Sequence, residues 1–328
     1  MFSPIPIALR IASWMLLLGF GLAQGSEAAG RTDRVREGLL VEYRFDSGEG
    51  DIVRDRSGLK PALDLAIEAA GAVRWVGGGL AIEAPTLLTT KVPALRVTER
   101  IRQTGAFSVE AWIRPANLTQ QGPARLIGIS NGSDLRNFTL GQGLWGGQPS
   151  DTFNMRARTT ETDLDGMPLM TTGPGSAHRG LQHLVYTRGH DGRACLYLDG
   201  YLASESTTPG SMANWDSSYP LLVAGELGTQ RPWLGEIFLM AIYDRVLSKE
   251  DIARNQAAGS GADGRAHLAL GSTPVLRPWT AQGSGIVVSP AHWVVRNLGA
   301  ELLFWKAQED ADWLDITPPS SVLLAGQQ

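Results

Sequence analysis

Cysteine is nearly absent from this chain: Cys195 is the only one among 328 residues, so no intrachain disulfide can staple the fold and no lipid-bearing cysteine follows the N-terminal segment. Charge is sparse as well. Asp, Glu, Lys and Arg make up 19% of residues, the formal net charge is -4, and Lys and Arg form no run. That excludes the clustered basic surface needed to bind a nucleic-acid backbone. Beyond residue 30 no apolar stretch approaches the ~20 residues of a membrane-spanning helix. Cys195, flanked by Ala194 and Leu196, reads as a buried small hydrophobe rather than a nucleophile. Histidine is scarce too, at five residues, and His183, with no His or Cys at metal-ligand spacing, reads as a structural residue.

Turn-forming residues are plentiful instead: 39 Gly and 18 Pro accompany 43% hydrophobic residues, a balance that suits a turn-rich β protein. Residues 1–30 read as a secretory signal. Arg10 precedes an apolar stretch too short to cross a bilayer, and Ala23, Gly25, Ser26, Ala28 and Ala29 offer small residues for cleavage. The expectation is an exported protein, secreted, periplasmic or at the cell surface. From residue 39, Leu39, Val41, Tyr43 and Phe45 alternate with Leu40, Glu42 and Arg44, the period of a half-buried strand. The same alternation returns in Phe107, Val109, Ala111 and Ile113, opposed to Ser108, Glu110 and Trp112. Asp199-Gly200 sits between two apolar runs and predicts a hairpin with a type I′ turn, since both central residues of that turn need φ > 0. Ile237 to Asp244 is apolar on both faces, which predicts a central strand covered on both sides. A short helix should follow: Ser248 and Asp251 have the spacing of a capping box, and Gly259 ends the run.

Four of these stretches, in order, resemble a known family. Tyr43-Arg44-Phe45-Asp46 with Asp55-Arg56-Ser57-Gly58, then Phe107-Ser108-Val109-Glu110-Ala111-Trp112-Ile113-Arg114-Pro115, then His183 to Arg188 with Leu196-Tyr197-Leu198-Asp199-Gly200, and finally Gly235 to Ser248, are similar to the LamG-like jelly roll of the concanavalin A-like superfamily. The resemblance implies an all-β, antiparallel sandwich over residues 38–259, with a short helix at its end. Residues 260–273 read as a Gly/Ala/Ser-rich linker. Residues 274–328, through Asp312-Trp313-Leu314-Asp315-Ile316, resemble a partial immunoglobulin-like unit of the BACON type.

Three kinds of site were weighed on these residues. For ligand binding, Trp145, Trp215 and Tyr219, with Asp216 beside Trp215, lie in loops where rings can pack on sugar C–H faces, Trp215 being as well suited to brace its loop; glycan or an extracellular protein is the expected partner. For metal, Asp163 and Asp165 place oxygens at alternate positions before Gly166, but Thr172 stands where an EF-hand needs Glu. The family resemblance adds Asp55 as a calcium ligand, while Phe238-Leu239 replaces the acidic pair expected late in the domain. For catalysis, Glu161, Asp163 and Asp165 have the period of a strand but not its composition, and Glu110 would need a second carboxylate across a cleft. The reading is therefore a non-enzymatic binding or adhesion module; a glycan-cleaving enzyme and a structural spacer are the alternatives.

Overall fold

The computed structural model describes residues 10–11, 33–120, 122–228, 231–260, 268–270, 295–297, 303–308 and 317–323. The chain forms two compact units, residues 31–262 and a second made of residues 1–30 with 263–328. In chain order the elements are β1 (Arg10–Ile11), β2 (Leu39–Arg44), β3 (Ile52–Val53), β4 (Leu65–Ile67), β5 (Val73–Val76), β6 (Gly79–Ile82), β7 (Leu88–Thr90), α1 (Leu95–Thr104) and β8 (Phe107–Pro115). They continue with β9 (Ala124–Ser130), β10 (Arg136–Gln142), β11 (Phe153–Ala157), β12 (Met170–Thr171), β13 (Gln182–Arg188), β14 (Arg193–Leu198), β15 (Tyr201–Thr207), β16 (Leu221–Val223), β17 (Gly235–Tyr243) and α2 (Lys249–Ala258). The second unit holds β18 (Leu268–Leu270), β19 (Val295–Asn297), β20 (Leu303–Gln308) and β21 (Ser320–Leu323).

The first unit is an antiparallel sandwich of two large sheets. One runs β12-β11-β10-β9-β16-β7-β4-β3; the other runs β15-β14-β13-β8-β17-β6-β5, with β2 also paired to β17. Apolar side chains of alternate positions meet between them, among them Tyr43, Phe107, Phe138, Leu140, Phe153, Trp233 and Ile237, all fully buried. Burial of each such side chain is worth about 1.5–3 kcal/mol, which is how period-two patterning becomes a stable interior.

A second apolar layer lies on the far side of the β8/β13/β17 sheet, where Val35, Trp112, Val185, Phe238, Tyr243 and Ile252 pack together. Strand β17 is thus covered on both faces, as its two-sided hydrophobicity predicts, and α2 with the segment 33–38 supplies the cover. The helix start has the expected cap: Asp251 N–H donates to Ser248 Oγ at 3.1 Å and Ser248 N–H to the Asp251 carboxylate at 3.0 Å. The β14–β15 turn also forms as expected, with φ of 49° at Asp199 and 83° at Gly200.

Helix α1 is the departure. No element was expected over residues 95–104, yet Val97, Thr98 and Ile101 are buried against the sandwich, and Gly105, at φ 66°, ends the helix with its N–H on Ile101 O. In the second unit, β1, β20 and β21 form one antiparallel sheet and β18 with β19 another. The remainder of the expected immunoglobulin-like unit, including residues 287–290 and 313–316, lies outside the described residues, as do most of the leader at 1–30 and of the linker at 260–273.

Candidate ligand-binding face

Of the three aromatic candidates, only Trp145 is open to solvent. It is 40% exposed, in the turn between β10 and β11, and the Arg156 guanidinium lies 5.1 Å from its ring centroid. Trp215 and Tyr219 require correction as ring platforms, being 2% and 6% exposed. Trp215 braces the interior instead. It sits edge-on to Phe107 at 5.1 Å and stacks on Phe138 at 5.9 Å, and its Nε1–H donates to Arg158 O at 2.6 Å. A buried indole needs such a partner. Asp216 shapes the same loop: its carboxylate accepts Ser218 N–H at 2.9 Å and the Ser218 hydroxyl at 2.6 Å, and these bonds hold its pKa below the usual range.

The three carboxylates expected to hold calcium are engaged separately and do not fit it. The Asp55 side chain is fully buried and ion-paired with Arg96, and its carboxylate accepts the backbone N–H groups of Ser57 at 2.9 Å and Leu63 at 3.2 Å. Arg96 belongs to α1, the helix not anticipated from the sequence. Asp163 closes its own loop by accepting Met167 N–H at 2.8 Å. Asp165 is ion-paired with both Arg136 and Arg156. Calcium asks for six to eight converging oxygens. Among the described residues no group of three or more His, Cys, Asp or Glu side chains is placed to hold a metal ion.

The carboxylates of the enzymatic alternative are not free either. Glu161 is exposed in a turn, off any strand. Glu110 lies under α2 and is fully buried; its carboxylate meets Arg34, His183 at 2.9 Å, Tyr243 Oη at 3.1 Å and Asn255 Nδ2 at 2.7 Å. Burial opposes its ionisation, but Arg34 and His183 outweigh that and hold its pKa at about 2. A group so committed does not act as an acid or nucleophile.

The outer face of the other sheet assembles a constellation that sequence reading missed. Phe138 and Leu140 point into the core, so Thr139 between them points out, opposite Arg156 on β11 and Gly128 on β9. Thr139 Oγ1 accepts from Arg136 at 2.7 Å and from Arg125 at 3.3 Å. Arg125 Nε is 3.9 Å from Glu226, whose carboxylate also accepts from Ser130 Oγ at 2.8 and 3.0 Å. Burial lowers the Arg125 pKa to about 9, with Arg136, Arg156 and Arg231 adding repulsion. Burial also raises that of Glu226, against the opposing pull of Ser130 and Arg125. Glu226 and Arg231 further line a cleft of about 440 Å³ together with Glu68, Thr86, Leu87 and Pro232. The arrangement offers an exposed ring, a band of guanidiniums and an adjoining cleft, a set suited to holding a polar ligand that carries a flat apolar face.

A family model described as the concanavalin A-like lectin/glucanases superfamily matches residues 90–253. No curated protein matches the chain. Among solved structures, HCR/D-Sa-GBL1/C is similar at 10% identity and a TM-score of 0.52, over 84% of this chain and 72% of that one. Trypanosoma rangeli sialidase in complex with the inhibitor DANA is similar at 17% identity and a TM-score of 0.50, over 73% of this chain and 37% of the sialidase. The botulinum neurotoxin serotype C1 binding domain is similar at 12% identity and a TM-score of 0.49, over 70% of this chain and 54% of that one. This chain spans about a third of the sialidase chains it matches, 32% in the complex with sialic acid. At these identities the likeness is one of fold.

Proposed function

This chain belongs to the concanavalin A-like lectin/glucanases superfamily, and from that premise we propose that it is an exported, non-enzymatic binding module that recognises saccharide on the outer face of the β9–β11 sheet. The observation that carries this reading is the placement of Trp145. Its ring is exposed beside Arg156, where it can cover the C–H face of a sugar while that guanidinium takes a hydroxyl or acidic group. The leader-like residues 1–30 support export. The carboxylates named at first for calcium hold loops and ion pairs, so binding is expected to need no cation. A glycan array probed with the wild-type chain and with Trp145→Ala tests the reading: wild-type signals that vanish in the variant support it, and a blank array for both defeats it.

One observation favours a second reading. Glu68 and Glu226 both line the cleft, and Glu226 is held above the ordinary carboxylate range, the state a general acid requires. Release of reducing sugar from a polysaccharide, abolished by Glu226→Gln, would establish that glycan-cleaving alternative.

A further inference from the structure

The outer face of the β9–β11 sheet is out of charge balance. Arg125, Arg136 and Arg156 are 3%, 0% and 7% exposed, and Arg231 is the third cation acting on Arg125. Among the described residues, the carboxylates that meet Arg125, Arg136 and Arg156 are Glu226 and Asp165. The three buried guanidiniums against two carboxylates leave an excess of one positive charge in a poorly solvated place, where uncompensated charge is strongly unfavourable. The Nε atoms of Arg125, Arg136 and Arg156 are buried without an acceptor, so the guanidiniums are also short of hydrogen-bond partners. Asp165 is the accessible member of the group: its side chain is 25% exposed, whereas the Glu226 side chain is fully buried. It reaches the guanidiniums from the loop between β11 and β12 and bridges two of them, as a carboxylate or sulfate from outside would. The exposed Trp145 ring flanks the same Arg156.

We propose that this face selects acidic saccharides, seating a ligand carboxylate or sulfate on the Arg136–Arg156 pair that Asp165 occupies in the unliganded protein, with Trp145 against the sugar ring. The inference rests on the saccharide-binding reading above and adds the ligand class and the internal competitor. Its physical basis is exchange: the ligand anion replaces the Asp165 carboxylate on the same two guanidiniums, and the released Asp165 regains water. Removing the Asp165 charge should therefore tighten binding, which a merely structural aspartate would not do.

The test is calorimetric titration of the full chain with polygalacturonate, dextran sulfate and neutral dextran, with melting temperature recorded for every variant. At least one acidic polymer should bind, and neutral dextran should bind at least tenfold more weakly. The acidic polymer that binds identifies carboxylate or sulfate as the group recognised. Asp165→Asn should tighten the interaction at least threefold. Arg156→Gln should weaken it at least tenfold; if that variant melts much earlier, Arg231→Gln, which changes a more exposed side chain, should weaken binding and flatten its salt dependence. Equal binding of neutral and acidic polymers would overturn the selectivity for acid while leaving saccharide binding in place. Binding of none of the three polymers, with neutral glycans still captured on the array, overturns this inference alone; a blank array removes both. Weaker binding by a stably folded Asp165→Asn eliminates the competitor role.

Discussion

His183 Nε2 lies 2.9 Å from the Glu110 carboxylate, a diagonal cross-strand pair in which Glu110 stands opposite Val185 and His183 opposite Trp112. The imidazole also stacks on the Trp112 ring, with centroids 4.5 Å apart and planes at 16°. Arg34, Tyr243 and Asn255 complete the polar knot from the N-terminal segment, β17 and α2. The knot fixes which elements cover the outer face of that sheet.

Removing Glu110 should be among the most damaging single changes in the chain. Glu110→Gln leaves Arg34 buried, with its side chain 5% exposed, and lacking its counter-charge. A loss of about 3–5 kcal/mol is expected in urea denaturation. Replacing both partners, as in Arg34→Met with Glu110→Leu, should cost less than the two single changes added together; simple additivity would show that the pair does not act as a unit.

The same carboxylate predicts acid sensitivity with a definite sign. Its folded pKa of about 2 lies below its ordinary value of 4.5, so its contribution is fully present above the ordinary value. That contribution is lost as pH falls through the folded one, amounting to roughly 3 kcal/mol between about pH 4.5 and pH 2. Stability measured against pH should drop across that window in the wild type and be flatter in Glu110→Gln.

Two tryptophans should separate binding from stability. Trp145→Ala, at a half-exposed turn, should shift unfolding free energy by no more than about 0.5 kcal/mol while abolishing saccharide capture. Trp215→Ala empties a packed site between Phe107 and Phe138 and should cost about 3–5 kcal/mol. A stable Trp215→Ala protein would contradict its role as a brace.

Chelation provides a further check. Asp55, Asp163 and Asp165 are tied to arginines or to their own loop, so treatment with a strong chelator should change neither the melting temperature nor saccharide binding. A fall in either, restored by added calcium, would show that a cation site exists elsewhere in the chain.

The sandwich was readable because its signals are local and repeated: alternation along β2 and β8, the Asp199-Gly200 turn, the two-sided apolar run of β17 and the Ser248 cap. Helix α1 was not readable, because its inward stripe is only Val97, Thr98 and Ile101 in an otherwise charged run. Distance in sequence hid the arginine face. Arg125, Arg136 and Arg156 each stand singly on a different strand, and only the register β9-β10-β11 makes them neighbours. A lone arginine in a strand whose alternate positions are apolar, such as Arg156 between Met155 and Ala157, was the available hint. Trp215 was open between platform and brace because its loop looked like surface; the loop folds its ring inward, which makes it the brace.

The tie between the first and last segments of the sandwich has a mechanical meaning. Arg34 donates to Gly259 O and Arg254 to Asp33 O, so polypeptide arriving at residue 33 and departing at residue 260 does so side by side. Such a unit is entered and left at one place on its own surface. Tension between its two attachment points would first peel α2 and residues 33–38 away, one bond after another, and would reach the stacked sheets only afterwards.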